Sequence, residues 1–276
     1  MTGARCRVQR VRQLYFSLWR HYGLPSRYNA TVFTLSGKTV LVTGGAHRLG
    51  KAIALAMAEA GAQIALTFLS SAQEANETLA AIERKGAQGL AVRCDVRQEA
   101  SVAQAVATVL ERFGGLDVLV NNAAIFNSAR FEEITSEQWD DIFATNVRGP
   151  FLMSKYLVPA LRIARGRIIH LGSLGGERPW AAHAHYCSSK AALHMLTRAM
   201  ANALAPEIAV NCVAPGTIDV KDDKYSPAFM LREAQRTPMG RNGTTQDLAE
   251  AVMYFATASS FITGQILLVD GGLGLQ

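Results

Sequence analysis

The stretch Thr39-Val-Leu-Val-Thr-Gly-Gly-Ala-His-Arg-Leu-Gly50 limits what this chain can fold into more than any other. Val40, Leu41 and Val42 form a short apolar, β-branched run that reads as a buried strand, and Gly44 and Gly45 allow an abrupt turn. The run Lys51-Ala-Ile-Ala-Leu-Ala-Met-Ala-Glu-Ala then resumes with a helical apolar period. A strand turning at once into a helix, with no side chains at the bend, brings backbone N–H groups and the positive end of the helix dipole against a phosphate. The same turn also serves chains that bind nothing there, so its meaning depends on the elements that surround it.

From Gln63 to the C-terminus the chain alternates strictly between two kinds of pattern. Strands are expected at Gln63–Phe68, Leu90–Cys94, Leu116–Asn121, Arg167–Leu171, Ala209–Val213 and Ile266–Val269. Between them lie helical patterns at Ala72–Lys85, Ser101–Phe113, Ser136–Leu161 (one helix or two), Tyr186–Leu204 and Thr245–Ala256. The strands are nearly continuous apolar runs, which predicts a parallel sheet buried on both faces, a doubly wound α/β architecture of about seven strands in a single domain. Ligands of such sheets sit at the carboxyl ends of the strands.

Charge and cysteine usage narrow the classes of function. The net charge is +6, but residues 1–30 contain six Arg (5, 7, 10, 12, 20 and 27) and no Asp, Glu or Lys, so the rest of the chain is neutral. A basic body that could track along a nucleic acid is therefore absent. Cys6, Cys94, Cys187 and Cys212 lack Cys-x-x-Cys spacing, which fits neither a disulfide framework nor a zinc site and points to a reducing, cytoplasmic setting. No apolar run reaches the ~18 residues a membrane span needs. Residues 1–34 read as a basic extension ahead of the domain at 35–276, a disordered tail or a stretch upstream of the true start. Tyr15, Phe16, Trp19 and Tyr22, with Val8, Val11, Leu14 and Leu18 near helical spacing, leave a targeting peptide or membrane-surface helix as the alternative.

The candidate chemistry lies in the second half. Tyr186 and Lys190 are one helical turn apart and share a face. A phenol with an ordinary pKa of about 10 is a poor acid or base at neutral pH, and a neighbouring cation favours its ionised form. Ser173, just past the fifth strand, can hydrogen-bond a carbonyl, and Asn146 can hold a water that relays protons. Taken singly, each of these residues also has an ordinary role as a cap, a turn residue or a backbone partner.

Taken together with the opening stretch, they resemble the short-chain dehydrogenase/reductase family from about Leu35 onward. The matching motifs are Thr43-Gly44-x-x-x-Arg48-x-Gly50, Asp95-Val96, Asn121-Asn122-Ala123-Ala124, Asn146, Ser173, Tyr186-x-x-x-Lys190, Pro215-Gly216-Thr217 and Val269-Asp270-Gly271-Gly272, in the family's order and spacing. The resemblance implies a Rossmann-type fold in which Tyr186 is the general acid/base. Lys190 would lower its pKa and hold the nicotinamide ribose, Ser173 would polarise the substrate carbonyl, and Asn146 would anchor a proton-relay water. It also implies cofactor contacts from Gly44, His47, Arg48, Leu49, Gly50, Ser70, Ser71, Asp95, Val96, Asn122, Ala123, Ala124, Pro215, Gly216 and Ile218. The expected reaction is hydride transfer between NADP(H) and a carbonyl or alcohol, by a homotetramer or dimer joined through the helices at Ser136–Leu161 and Tyr186–Leu204.

One departure stands out, because Arg48 occupies a turn position where the family usually has glycine. That variant, with Ser71-Ala-Gln-Glu-Ala-Asn76 and Phe126, is similar to the pteridine reductase branch and keeps pterin C=N reduction as an alternative. That branch typically has an acidic residue where this chain has Ser173, and the serine favours the general carbonyl-reductase pattern. A non-catalytic dinucleotide-binding protein is a third reading, which the full set of Asn146, Ser173, Tyr186 and Lys190 opposes. Phe126, Trp180, Tyr225, Phe229 and Met230 are candidate walls of a substrate pocket. His183 and His185 read as solvated loop histidines with no third metal ligand nearby, and Cys187 as a small packed hydrophobe.

Overall fold

All four residues of the first strand, β1 (Thr39–Val42), are buried, because both faces of the sheet are covered and alternate side chains enter different cores. Val40 and Val42 join a cluster with Ile53, Met57 and Val252, while Leu41 joins Val106, Leu157 and Leu161 on the other face. The fourth strand, β4 (Val118–Asn121), divides in the same way, with Val118 and Val120 on the first face and Leu119 on the second. This two-sided burial explains why the strands read as unbroken apolar runs rather than as an alternation.

The computed structural model describes residues 34–220 and 225–276, so the expectations for the extension at 1–34 fall almost entirely outside it. The remaining strands are β2 (Gln63–Phe68), β3 (Gly89–Arg93), β5 (Arg167–Leu171), β6 (Ala209–Pro215), the short β7 (Ile218–Asp219) and β8 (Gly243–Thr244), and β9 (Ile266–Val269). Seven strands make one parallel sheet in the order β3-β2-β1-β4-β5-β6-β9, and β7 pairs with β8 separately. The order reverses direction between β1 and β4, and the crevice at such a switch point is where open α/β sheets receive ligands.

Two boundaries differ from the sequence-based expectation in ways that matter. The helical pattern at Ser136–Leu161 is broken: α-helix Ser136–Phe143 passes through a π-helical turn at Ala144–Arg148 into α-helix Gly149–Ala164. Thr135 fixes the entry through a capping box with Gln138, and Asn146 sits inside the π turn, a distortion often found where a side chain must be aimed at a site. The long helix begins at Ala184, two residues before Tyr186, and runs to Leu204. Within the long connection after β6, Ser226 caps the helix Pro227–Arg236 by accepting a hydrogen bond from the Phe229 amide at 3.2 Å.

Candidate active site

The glycine-rich turn is held from below by the end of β4. Thr43 Oγ1 accepts hydrogen bonds from the backbone amides of Asn122 and Ala123, each at 3.0 Å. Asn122 Nδ2 returns two bonds, to the Thr43 carbonyl at 2.9 Å and the Gly44 carbonyl at 3.0 Å. Gly50 packs so closely that a Cβ there would lie 2.2 Å from the Gly44 carbonyl oxygen, and Gly44 itself has φ +62°. Both positions therefore require glycine. His47, the residue before helix Arg48–Glu59, makes no side-chain cap, and the first turn carries no acid, so nothing competes with an anion for its amides on that account. The donor set and the glycine packing thus fit a dinucleotide pyrophosphate.

Arg48 adopts φ +49°, the left-handed conformation that its usual glycine counterpart takes without strain. Beyond β2, Ser70 is exposed and Ser71 half-buried, with no carboxylate between Thr67 and Gln73. Arg93, absent from the residues the sequence motifs single out, belongs to this corner: its Nε donates to the Leu69 carbonyl at 3.2 Å, one residue from Ser70. The signal was its place at the end of β3, in register with Phe68, but the register emerges only with the sheet. Asp95 is turned toward Arg97, which donates to it from Nε at 2.9 Å and from its second terminal nitrogen at 2.8 Å, while Arg97 also reaches Asp141 at 2.6 Å. The arginine beside Asp95 holds that carboxyl below its ordinary range. Val96 is buried against Gly149. At the far end, the Gly216 amide donates to the Val269 carbonyl at 3.0 Å, which seats Pro215 and Gly216 over β9, and Ile218 pairs with Gly243 in the small ribbon.

Asn146, Ser173, Tyr186 and Lys190 are all buried. Asn146 Oδ1 accepts from the Ile125 amide at 2.9 Å, and its Nδ2 donates to the Ile125 carbonyl at 3.0 Å and to Ser189 Oγ at 3.1 Å. Asn146 therefore fixes both the loop after β4 and the helix that carries Tyr186. Lys190 Nζ donates to the Leu171 carbonyl at 2.7 Å and lies 5.8 Å from the centroid of the Tyr186 ring. Ser173 hydrogen-bonds the Tyr186 phenol and also accepts from the Gly175 amide at 3.0 Å.

Electrostatics correct one expectation. Burial pushes the Tyr186 phenol up to about 12, against which the Ser173 hydrogen bond works. Burial also pulls Lys190 down to about 8. The lowering expected of Lys190 is not among the influences on the phenol, and desolvation leaves it protonated at neutral pH.

Aromatic side chains enclose this group. Phe126 meets the Tyr186 ring edge-on at 4.6 Å, and Trp180 lies nearly parallel to it at 6.1 Å. Trp180 also sits over Gly175, where a Cβ would come within 3.2 Å of its ring. Tyr225 stacks on Phe229 at 4.9 Å and lies close enough to Tyr186 to push that phenol further up. The histidine expectation needs correction. His183 stacks on Phe126 at 4.7 Å, and His185 is fully buried, because the helix begins early enough to turn it inward. Neither ring nitrogen of His185 has a hydrogen-bond partner. Among the described residues no group of three His, Cys, Asp or Glu side chains could hold a metal, and no helix is long and apolar enough to cross a membrane.

Comparison with known proteins shows the family and the fold. Residues 44–274 match the family model described as enoyl-(acyl carrier protein) reductase. The chain is 36% identical over 255 residues to a sorbitol dehydrogenase of Cereibacter sphaeroides, covering 86% of this chain and 98% of that protein. A short-chain dehydrogenase/reductase from Serratia marcescens superposes with a TM-score of 0.83 at 37% identity, covering 87% and 99% of the two chains. An NADH-dependent reductase described as responsible for alginate metabolism superposes at 0.79 with 34% identity, covering 87% and 98%. The chain belongs to the short-chain dehydrogenase/reductase family of oxidoreductases.

Proposed function

We propose that this protein is an NADP(H)-dependent carbonyl reductase or alcohol dehydrogenase in which Tyr186 is the proton donor and acceptor. The observation that carries the reading is the burial of Tyr186 with Ser173 at its phenol and Lys190 Nζ 5.8 Å from its ring. The cofactor, when bound, supplies or takes the hydride. The chain's residues do the rest: Ser173 orients the substrate oxygen, Tyr186 passes it a proton, and Lys190 stabilises the phenolate left behind. Asn146 holds the Tyr186 helix against the loop after β4. Arg48, Arg93, Ser70 and Ser71 gather positive charge and hydroxyl donors where a ribose 2′-phosphate would lie, and Lys190 meets the nicotinamide ribose. One solved structure similar to this chain is described as NADH-dependent, so the proposed cofactor preference rests on this chain's own corner.

The test is NADPH consumption against a panel of carbonyls, with dihydrobiopterin included to separate the pterin reading and NADH to separate the cofactors. Turnover of the pterin alone would replace the carbonyl assignment, and cofactor binding with no turnover of any substrate would favour a binding protein. Lys190 also sets a pH dependence. Its ammonium is needed to stabilise the phenolate and burial places it at about 8, so reduction should hold through neutral pH and fall as pH rises past that value. A rate that stays level two units higher would remove Lys190 from the proton step.

The extension is proposed to be dispensable, since the sorbitol dehydrogenase is matched over 98% of its length by 86% of this chain. Deleting residues 1–34 should leave melting temperature and turnover unchanged and liposome flotation absent in both forms. A large loss of stability would mean that the extension packs on the body, and flotation of the full chain alone would establish a membrane anchor. Assembly is proposed to use the helices at Ser136–Phe143, Gly149–Ala164 and Ala184–Leu204, where a groove of about 920 Å³ is lined by Phe143, Val147, Phe151 and Leu196 between charged residues. A second copy of the chain is its proposed occupant, and cytoplasmic location is proposed from the free cysteines.

A further inference from the structure

The loop that carries Ser173 is wrapped around a buried histidine that has no part in the proposed proton transfer. His194, 2% exposed, projects from the long helix one turn beyond Lys190. Its Nδ1 lies 2.9 Å from Glu177 Oε1, and its Nε2 lies 3.5 Å from the Ser173 amide nitrogen. An ionised carboxylate only accepts, so Nδ1 carries the proton and Nε2 offers a lone pair to the Ser173 N–H. The ring also fills the space that the loop's glycines leave. A Cβ at Gly172 would meet Nε2 at 2.4 Å, and one at Gly176 would meet the ring's Cε1 at 2.5 Å. Both ends of the Ser173 loop therefore rest on one imidazole.

We infer that His194 is a positioning residue that holds Ser173 in place against Tyr186 and releases it when the ring takes a second proton. This rests on the oxidoreductase reading for its rate consequences, but its geometry stands apart from it. A second proton on Nε2 would set two N–H donors against each other where one bond now exists, and the ring cannot withdraw because Gly172 and Gly176 close on it.

The groups facing the ring decide when this happens. Glu177 on the loop favours the charged form, while Lys190 and Arg198 on the same helix oppose it. Cys212 on β6 lies beside Nε2 under Gly172 and is itself pushed up by burial. Burial of the ring is the largest influence and pulls His194 below the usual 6.5. The neutral form is thus the folded one. Its contribution to stability is complete above the unfolded value and is lost as pH falls below it.

Three variants test the inference. His194→Phe keeps a ring but removes both nitrogens, and should lower kcat for carbonyl reduction about tenfold, the weight of one hydrogen bond, while the KM for NADPH holds. His194→Gln can present an amide oxygen to the Ser173 amide, so it should keep most of kcat and lose the acid-side fall in rate. Glu177→Gln alters a side chain that is 43% exposed and still accepts from Nδ1, so neutral-pH turnover should persist while the acid limb moves to lower pH. If His194→Phe does not fold, the other two decide. An acid limb unmoved in both would overturn the inference, as would a normal kcat in a folded His194→Phe. Nitrogen-15 spectra of the imidazole, assigned by its disappearance in His194→Gln, give a readout without turnover: the Nδ1–H tautomer is expected at about pH 8, and an Nε2–H tautomer would overturn the arrangement. Absence of turnover in the wild type would sink the proposed reaction while leaving the tautomer result to judge the clamp.

Discussion

Tyr186→Phe should lower the rate of carbonyl reduction by on the order of 10²–10⁴, or about 2.7–5.5 kcal/mol of barrier, while cofactor affinity stays close to wild type. The phenyl ring keeps the edge contact with Phe126 at 4.6 Å and the stacking with Trp180 at 6.1 Å, so the aromatic enclosure survives. What disappears is the hydroxyl and its bond with Ser173. Losing one partner of the buried bond with Ser173 should cost about 1–3 kcal/mol of stability, too little to unfold the domain. A stable protein with a collapsed kcat is the combination expected of a proton donor. Turnover near the wild-type level would end the Tyr186 mechanism, and loss of NADPH binding would show that the residue holds the cofactor instead. Lys190→Ala differs in kind, because Lys190 is buried with its ammonium on the Leu171 carbonyl. That variant should damage rate and cofactor binding together.

The architecture was legible because two-sided burial leaves a strong imprint on sequence. A strand such as Val118–Asn121, buried at every position, must be apolar almost throughout, and strands β2, β5 and β9 begin and end at the residues expected from the sequence. Asn146, Ser173, Tyr186 and Lys190 stood out by their order and spacing, and the fold buries all four, with Asn146 bonded to Ser189 on the Tyr186 helix and Lys190 Nζ 5.8 Å from the Tyr186 ring. What the sequence hid depends on register and on which way a helix turns its side chains. Arg93 reaches the Ser70 corner only because β3 pairs with β2 with Arg93 opposite Phe68. His185 reads as a loop residue until the helix is seen to begin at Ala184, and that small difference is enough to bury it. The phenol's raised pKa was hidden for a different reason. The sequence shows Lys190 one turn away but not the burial, and desolvation is the largest influence on the phenol.

Replacing Arg48 by glycine should move stability and cofactor affinity in opposite directions. Arg48 stands at φ +49°, a conformation that costs a non-glycine residue about 1–3 kcal/mol and glycine almost nothing. The residue lies at the first position of helix Arg48–Glu59, where glycine's poor helix propensity counts less than in the interior. Glycine should therefore leave the fold unharmed or raise its melting temperature by about 2–4 °C, the shift that ~1 kcal/mol gives a domain of this size. The guanidinium it removes is proposed to pair with the 2′-phosphate of NADP(H), and a charge-assisted contact of that kind contributes roughly 1.5–3 kcal/mol. Affinity for NADP(H) should fall about 10- to 150-fold, while NAD(H), which has no phosphate there, should bind as before. Arg93 and the hydroxyls of Ser70 and Ser71 remain, so some preference for the phosphorylated cofactor should survive in the single variant and disappear when Arg93→Ala is added. Titration of both cofactors against both variants, beside melting curves without cofactor, separates the outcomes. Equal loss of the two cofactors with a lower melting temperature would make Arg48 a structural residue of the turn, and a wild-type protein that binds NAD(H) more tightly would show that the missing acid at the end of β2 has been misread.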